Sequence, residues 1–234
     1  LTWYLLLLLA VGVVVVFTQS RYAQLQEVAV TGVSRLDAEQ VKQVSGLRPG
    51  QNVFSLRPRR VAARIESLAW VKEARVAWAW PGRAVIRVSE RTPVALVPYH
   101  DRFLVVDGEG RVLTTTPESS PWGLPLVTGA VPPDLAAGQF ITDGAILGAL
   151  ACVEAFPPAA REKLGEVHAG ERGELVVYDL EGVPALVGLP DAHLTERVQV
   201  LLAIWEDLRR QGTRAEYIDV RDTNRAVVKP AQGG

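Results

Sequence analysis

Ala74-Arg-Val76-Ala-Trp78-Ala-Trp80-Pro81-Gly82-Arg-Ala84-Val-Ile86-Arg-Val88 is the stretch on which the fold reading turns. Its apolar residues recur with a period of two: Ala74, Val76, Trp78 and Trp80 share one face, and Ala84, Ile86 and Val88 resume the alternation after Pro81-Gly82. Alternation on both sides of a turn dipeptide predicts a β-hairpin with one buried face. Upstream the period lengthens. Val61, Ile65 and Leu68 stand at i, i+4 and i+7 behind Pro58, and a proline is tolerated at a helix start because no intrahelical donor is needed there. Asp37-Ala-Glu-Gln40 with Gly46 eight residues on from Ala38 predicts a shorter helix over 38–45, capped at its start by a carboxylate and stopped by a left-handed glycine. Before it, Leu25, Val28 and Val30 closed by Thr31-Gly32 read as a strand. Strand, helix, helix, strand, strand is an α+β module, with two helices on one face of a three-stranded sheet. The second helix carries Arg57, Arg59, Arg60 and Arg64 on its other side.

Residues 1–20, LTWYLLLLLAVGVVVVFTQS, contain no charged residue and no proline. As a helix the apolar run Leu1 to Phe17 would reach about 25 Å at ~1.5 Å per residue, just short of a ~30 Å hydrocarbon core. The expectation is an uncleaved transmembrane signal anchor over residues 1–19, with Trp3 and Tyr4 suited to a headgroup interface. Two rivals are a cleaved secretory signal, with a weak site at Thr18-Gln19-Ser20, and a buried core helix. The chain has no methionine, and the visible flanking charge is Arg21, so orientation does not follow from charge.

Beyond Arg91, Val94–Val97, Arg102–Val106 and Arg111–Thr115 are short β-rich segments, the last two joined by the hairpin signal Asp107-Gly-Glu-Gly110. The tract Thr116–Phe140 holds five of the 15 prolines and reads as a long loop in which Leu124 to Gly129 alone looks fixed. Asp143 caps a helix through about Ala155. Glu174–Leu180 and Pro184–Leu189 flank Glu181-Gly182 as another hairpin. Leu194, Val198, Leu201, Leu202, Trp205 and Leu208 keep the helical period up to Gly212. Tyr217–Arg221 and Arg225–Lys229 then sit either side of a Thr223-Asn224 turn.

Composition narrows the function. Lys+Arg 25 against Asp+Glu 26 leaves a net charge of -1, so no field is present to hold a nucleic acid nonspecifically. One cysteine, Cys152, excludes an internal disulfide, and with three scattered histidines (His100, His168, His193) it points to neither a metal site nor a cofactor; Cys152 lies near an apolar helical stripe and reads as packing. The sequence has no G-x-S-x-G, S-x-x-K, P-loop, H-E-x-x-H or G-x-G-x-x-G, so no catalytic residue is expected and the chain reads as a non-enzyme. Asp107-Gly-Glu-Gly110 lacks the alternating acidic ligands of a calcium loop.

Several stretches resemble one family. Val30-Thr-Gly32, Gly46-Leu-Arg-Pro-Gly50-Gln-Asn52-Val-Phe54-Ser-Leu56, Trp70-Val71-Lys-Glu-Ala74-Arg-Val76 and Trp80-Pro81-Gly82 resemble a POTRA domain of the FtsQ/DivIB type. Val88-Ser-Glu90-Arg91-Thr-Pro93-Val-Ala95 is similar to that family's V-x-E-R-x-P-V-A junction, and Tyr217-Ile-Asp-Val-Arg221 with Ala226-Val to its terminal I-D-L-R-Y and A-V signature. Ala69, where the family usually has proline, and Asp222, where it often has tyrosine, depart from the pattern. The resemblance implies an anchor at 1–19, a βααββ POTRA domain at 25–91, and at 92–230 a mixed β-rich domain with a long C-terminal helix and edge strands. It further implies a non-catalytic bitopic scaffold of the divisome in the bacterial inner membrane, single-pass, with its bulk extracytoplasmic at the septum. The POTRA domain would meet other division proteins. FtsB, paired with FtsL, would add as a strand at the C-terminal edge, through which septal peptidoglycan synthesis is controlled. The contact segment then comprises Tyr217, Ile218, Asp219, Val220, Arg221, Ala226, Val227, Val228 and Lys229, with Arg221 able to pair an acidic partner residue and Val227→Pro expected to break the pairing. The rival reading is a POTRA-type chaperone or adaptor in polypeptide transport or outer-membrane assembly.

Overall fold

Residues 2–20, 23–119 and 122–231 are described in a computed structural model of the chain, which divides into two units, Leu1–Arg91 and Thr92–Gly234. Leu1 and Arg21, which the anchor reading uses, lie outside the described residues.

In the first unit helix α1 (Thr2–Gln19) precedes β1 (Glu27–Thr31), α2 (Ala38–Ser45), α3 (Pro58–Glu66), β2 (Val71–Ala79) and β3 (Arg83–Glu90). The sheet order is β1-β3-β2, with β3 antiparallel to β2 and parallel to β1. A parallel partner cannot be reached by a tight turn, so the chain crosses over through α2 and α3 before β3 inserts beside β1. The local signals act where the sequence places them. Asp37 accepts from the Glu39 N–H at the start of α2, and Gly46 closes it in the left-handed region at φ 67°. Val41, Val61 and Ile65 from the helices meet Val71, Ala74, Ala84, Ile86 and Val88 from the sheet in one buried cluster. Each valine or isoleucine among them contributes about 1.5–3 kcal/mol when fully buried, and the alanines less.

The junction residues of this unit are accounted for by what they hold. Glu90 accepts from the Ser34 hydroxyl at 2.6 Å and from the backbone N–H groups of Ser34, Arg35 and Leu36 at 2.9–3.1 Å. Burial pushes this carboxyl up, but the four donors outweigh it and bring its pKa down to about 2. Arg91, buried, donates from its backbone to the Trp70 carbonyl at 2.8 Å and from Nε to that of Val71 at 3.2 Å. Gly32 is needed for a steric reason: a Cβ there would collide with the Val88 carbonyl oxygen. The two hairpin tryptophans separate. Trp78 packs against the buried cluster, whereas Trp80 is 61% exposed.

Helix α1 is 18 residues long, about 27 Å at ~1.5 Å per residue. Trp3, Tyr4, the leucines 5–9, Val11, Val13, Val15, Val16 and Phe17 are exposed. Among the described residues no helix is long and apolar enough to cross a membrane.

The second unit is one sheet of nine strands: β4 (Pro93–Tyr99), β5 (Arg102–Asp107), β6 (Val112–Thr116), β7 (Leu126–Thr128), β8 (Leu164–Ala169), β9 (Leu175–Asp179), β10 (Pro184–Gly188), β11 (Ala215–Asp219) and β12 (Val227–Pro230). Their order is β12-β11-β10-β9-β8-β7-β4-β5-β6. Most neighbours are antiparallel, but β7 runs parallel to β4 and β8, and β11 parallel to β10. Helix α4 (Gly144–Ala155) and the short α5 (Pro158–Arg161) connect β7 to β8, and α6 (Leu194–Gln211) connects β10 to β11. The expected loop 116–140 thus contains a central strand, held because Val127 is fully buried and because Gly129, at φ 93°, lets the chain pass the Ala169 carbonyl oxygen that a Cβ would strike. The core gathers Ile146, Leu150, Val153 and Phe156 from the α4 segment, Val198 and Leu201 from α6, and alternate sheet residues. Phe156 stacks on Trp205 at 5.8 Å. Cys152 lies within this core; burial drives its thiol up to about 12, against a smaller pull from the Arg197 charge. Arg197, also buried, donates to the Leu189 carbonyl and to Asp191.

Candidate functional site

The terminal strands determine what the second unit can offer. The segments expected at 217–221 and 225–229 form strands at Ala215–Asp219 and Val227–Pro230, so Val220 and Arg221 lie just past β11 and Ala226 just before β12. The Asp222 carboxylate accepts from the Asn224 N–H, and the expected Thr223-Asn224 turn is a single helical turn over 223–225 that also takes in Arg225, which the sequence reading gave to a strand. β12 is the last strand of the sheet, antiparallel to β11 with Tyr217 opposite Lys229, Ile218 opposite Val228 and Asp219 opposite Val227. Glu216 is the extra residue of a bulge in β11.

The direction of each backbone group follows from two bonds outside the ladder. Ala231 donates its N–H inward to the Arg214 carbonyl at 2.9 Å, and Val220 donates to the Leu186 carbonyl of β10 at 3.0 Å. Since backbone polarity alternates along a strand, Lys229 and Val227 face β11, while Val228 and Pro230 face away from the sheet. Val228 therefore offers an outward N–H and C=O, and Pro230 a C=O alone. This corrects the role expected of Val227: a proline there would remove a ladder donor from β11, and Val228 is the residue whose N–H a docking strand would use.

The side chains around this edge are largely paired. Arg221 binds Asp219 through Nε at 3.0 Å and Nη2 at 2.6 Å. That hydrogen bonding holds the Asp219 carboxyl below its ordinary range against the opposing effect of burial. The guanidinium expected to meet a partner's acid is thus already held within the chain. Lys229 Nζ lies 2.8 Å from Glu216 and 5.9 Å from the Tyr217 ring centroid. Ile218 and Val220 are fully buried, Val228 packs on the core, and Ala226, Val227 and Lys229 are exposed. Of the nine expected contact residues, these three and Arg221 face solvent, and Ile218 and Val220 build the support beneath. Glu216 and Pro230 were missed. Pro230 carried a readable signal, because proline within a sheet is confined to edges. Beside the edge lies a groove of about 630 Å³ whose apolar lining includes Trp205, Leu208, Ile218 and Ala231.

The opposite edge is covered at its start. Val112 of β6 donates to the Gln139 carbonyl at 2.9 Å and accepts from Gly138 at 2.7 Å, and Ile141 donates to the Gly110 carbonyl at 2.8 Å. Segment 138–141 thus covers Gly110–Val112, the turn into β6 and its first residue.

The side chains with catalytic potential make structural contacts. The Thr128 hydroxyl donates to Glu166, and its oxygen lies 2.9 Å from His168 Nδ1, a network across β7 and β8. His100 is 3.4 Å from Asp134, and His193 is 3.5 Å from Glu196. Asp107 accepts from the backbone N–H groups of Glu109 and Arg111, shaping the β5–β6 turn. Among the described residues no group of three or more His, Cys, Asp or Glu is placed to hold a metal ion.

Two family models match in tandem: an FtsQ-type POTRA domain over residues 23–91 and the C-terminal region of the cell division protein FtsQ/DivIB over residues 95–221. The chain is 28% identical over 214 residues to the cell division protein FtsQ of Syntrophotalea carbinolica, an alignment covering 90% of this chain and 75% of that one. It is 24% identical over 222 residues to FtsQ of Geotalea daltonii, covering 93% and 80%. A solved structure, the major extracytoplasmic domain of DivIB from Geobacillus stearothermophilus, is 20% identical with a TM-score of 0.37, covering 52% of this chain and 97% of that one.

Proposed function

The chain belongs to the FtsQ/DivIB family of bacterial cell division proteins, and on that premise we propose that it is a non-catalytic scaffold of the divisome at the septal inner membrane. Residues 1–19 anchor it as a single pass with the bulk of the chain outside the cytoplasm. Residues 25–91 form the POTRA domain, which meets other division proteins, and residues 92–230 form the β domain, which binds FtsB and through it FtsL. Engagement of that pair links early to late division proteins and so controls septal peptidoglycan synthesis.

The observation that carries this reading is the outer side of β12, beside which no further strand lies among the described residues. A strand edge is a row of unpaired donors and acceptors that proteins often cover, as segment 138–141 covers the start of β6 at Val112 here. A β-strand of FtsB adds beside β12, taking its main-chain bonds from Val228 and the Pro230 carbonyl, while an apolar side chain of the partner enters the groove at Trp205 and Leu208 for specificity.

Calorimetric titration of the full chain with a synthetic C-terminal segment of FtsB tests this. Val228→Pro should abolish binding while the chain stays folded. Val227→Pro should weaken binding only in proportion to its loss of stability. Unchanged affinity in a folded Val228→Pro protein would remove the site from β12.

A further inference from the structure

The end of the first unit nearest α1 carries an aromatic cluster that core packing leaves unexplained. Phe17, the last large apolar residue of α1, stacks on Trp80 at 5.6 Å with the rings inclined by 27°, and lies 6.5 Å from Phe54. Phe54 and Trp80 are each 61% exposed and Phe17 43%, so every ring has a face open to the surroundings.

The cluster is fastened to the fold. Asn52 Nδ2 donates to the Thr18 carbonyl at 2.6 Å, binding the loop that bears Phe54 to the end of α1. Leu25 donates to the Gln51 carbonyl and Gly50 to that of Leu25, both at 2.7 Å, and Gln26 donates to the Gly82 carbonyl at 2.6 Å, tying the same exit segment to the hairpin tip that bears Trp80. Three separate segments thus bring an aromatic ring to one level of the molecule, continuous with the apolar surface of α1. Just beyond Phe54, at the start of α3, Arg57, Arg59 and Arg60 are exposed, and among the described residues none of them meets a carboxylate. Glu27, the acid at this end, is already paired with Arg83 at 3.3 Å.

We propose that Phe17, Phe54 and Trp80 form a collar seated in the headgroup layer of a phospholipid bilayer, with Arg57, Arg59 and Arg60 facing anionic lipid. Resting on the anchor reading above, it adds a second lipid contact made by the POTRA domain itself. Aromatic rings favour the boundary between hydrocarbon and water, and basic residues near the surface are drawn to anionic headgroups. Length argues the same way. An α1 of about 27 Å falls short of a ~30 Å core, and a short helix is accommodated by interfacial residues flanking it. Trp3 and Tyr4 flank one end, and the collar flanks the other.

The test uses the full chain in nanodiscs of phosphatidylcholine and phosphatidylglycerol at about 2:1, with a nitroxide on Ser55→Cys beside Phe54 or, as the remote reference, on Gln43→Cys of α2. The Ser55 label should be several-fold less accessible to a water-soluble nickel chelate than the Gln43 label. That protection should vanish in the Phe54→Ser, Trp80→Ser double variant while the chain remains in the disc. Equal accessibility at the two positions overturns the collar. Protection undiminished in phosphatidylcholine alone overturns the role given to the arginines. Failure of the chain to enter discs at all overturns the anchor reading, and the collar with it.

Discussion

The two edges of the nine-stranded sheet begin from the same liability, a strand with one unpaired side, and they differ at Val112 and Val228. At β6 it returns as segment 138–141 and takes up both backbone groups of Val112. At β12 it ends the sheet with Val228 directed outward and a proline, rather than a charged barrier, at the next outward position. The covering at Val112 shows how a returning segment can take up an edge, and in the proposed complex the partner strand would do the same for Val228. The open edge is nevertheless guarded: its flanking charges are paired within the chain, Arg221 with Asp219 and Lys229 with Glu216. In the proposed complex, specificity would fall to the main chain and the adjoining groove.

That contrast can be broken most severely at its centre. Gly129→Ala places a Cβ against the Ala169 carbonyl oxygen at a backbone angle that side chains avoid, at the strand from which both halves of the sheet extend. The expected loss is about 3 kcal/mol or more, read as a fall in the denaturant midpoint, with both edges affected together. Next in size, Val227→Pro should cost about 2 kcal/mol by leaving a ladder acceptor of β11 unpaired. Val228→Pro should cost less than half of that, since its N–H faces outward; parallel chemical denaturation of the two variants checks the assigned polarity. A reversed order would show that the outward row is the other one.

In the first unit acid acts through one well-held carboxyl. The carboxyl of Glu90 is brought from an ordinary value near ~4.3 down to about 2, so its stabilising effect is complete above the unfolded value and lost as pH falls from there through about 2. The first unit should therefore lose stability over that window, and Glu90→Gln should flatten the loss; amide exchange resolved by unit measures it. Smallest is Lys229→Ala. The lysine is exposed, so thermal stability should be indistinguishable from wild type, whereas association with an acidic partner segment should slow, as stopped-flow mixing at low and high salt would show.

Much of the fold was legible where local chemistry and burial agree. The 74–88 hairpin, the Asp37 and Asp143 caps, the Gly46 and Gly212 stops and the period of α6 all appear where the residues placed them. β8 escaped because Gly165 and His168 interrupt its apolar pattern, and because its neighbours β7 and β9 are supplied by distant segments. β7 was visible only as a fixed point, three residues being too few to show a period. At the candidate site, the residues that approach the edge were readable from composition and resemblance. Which of them face outward was not, since that parity is fixed by bonds to Arg214 and Leu186 far along the chain.

Cys152 provides a clock for opening of the second unit. Its thiol, on the buried face of α4, is held by that burial in the unreactive protonated form. An alkylating reagent can reach it only when the α4 layer lifts from the sheet, so its modification rate counts those excursions. If a strand added at β12 stiffens the whole sheet, the clock slows on partner binding, although the sulfur lies in the interior and the partner at the rim.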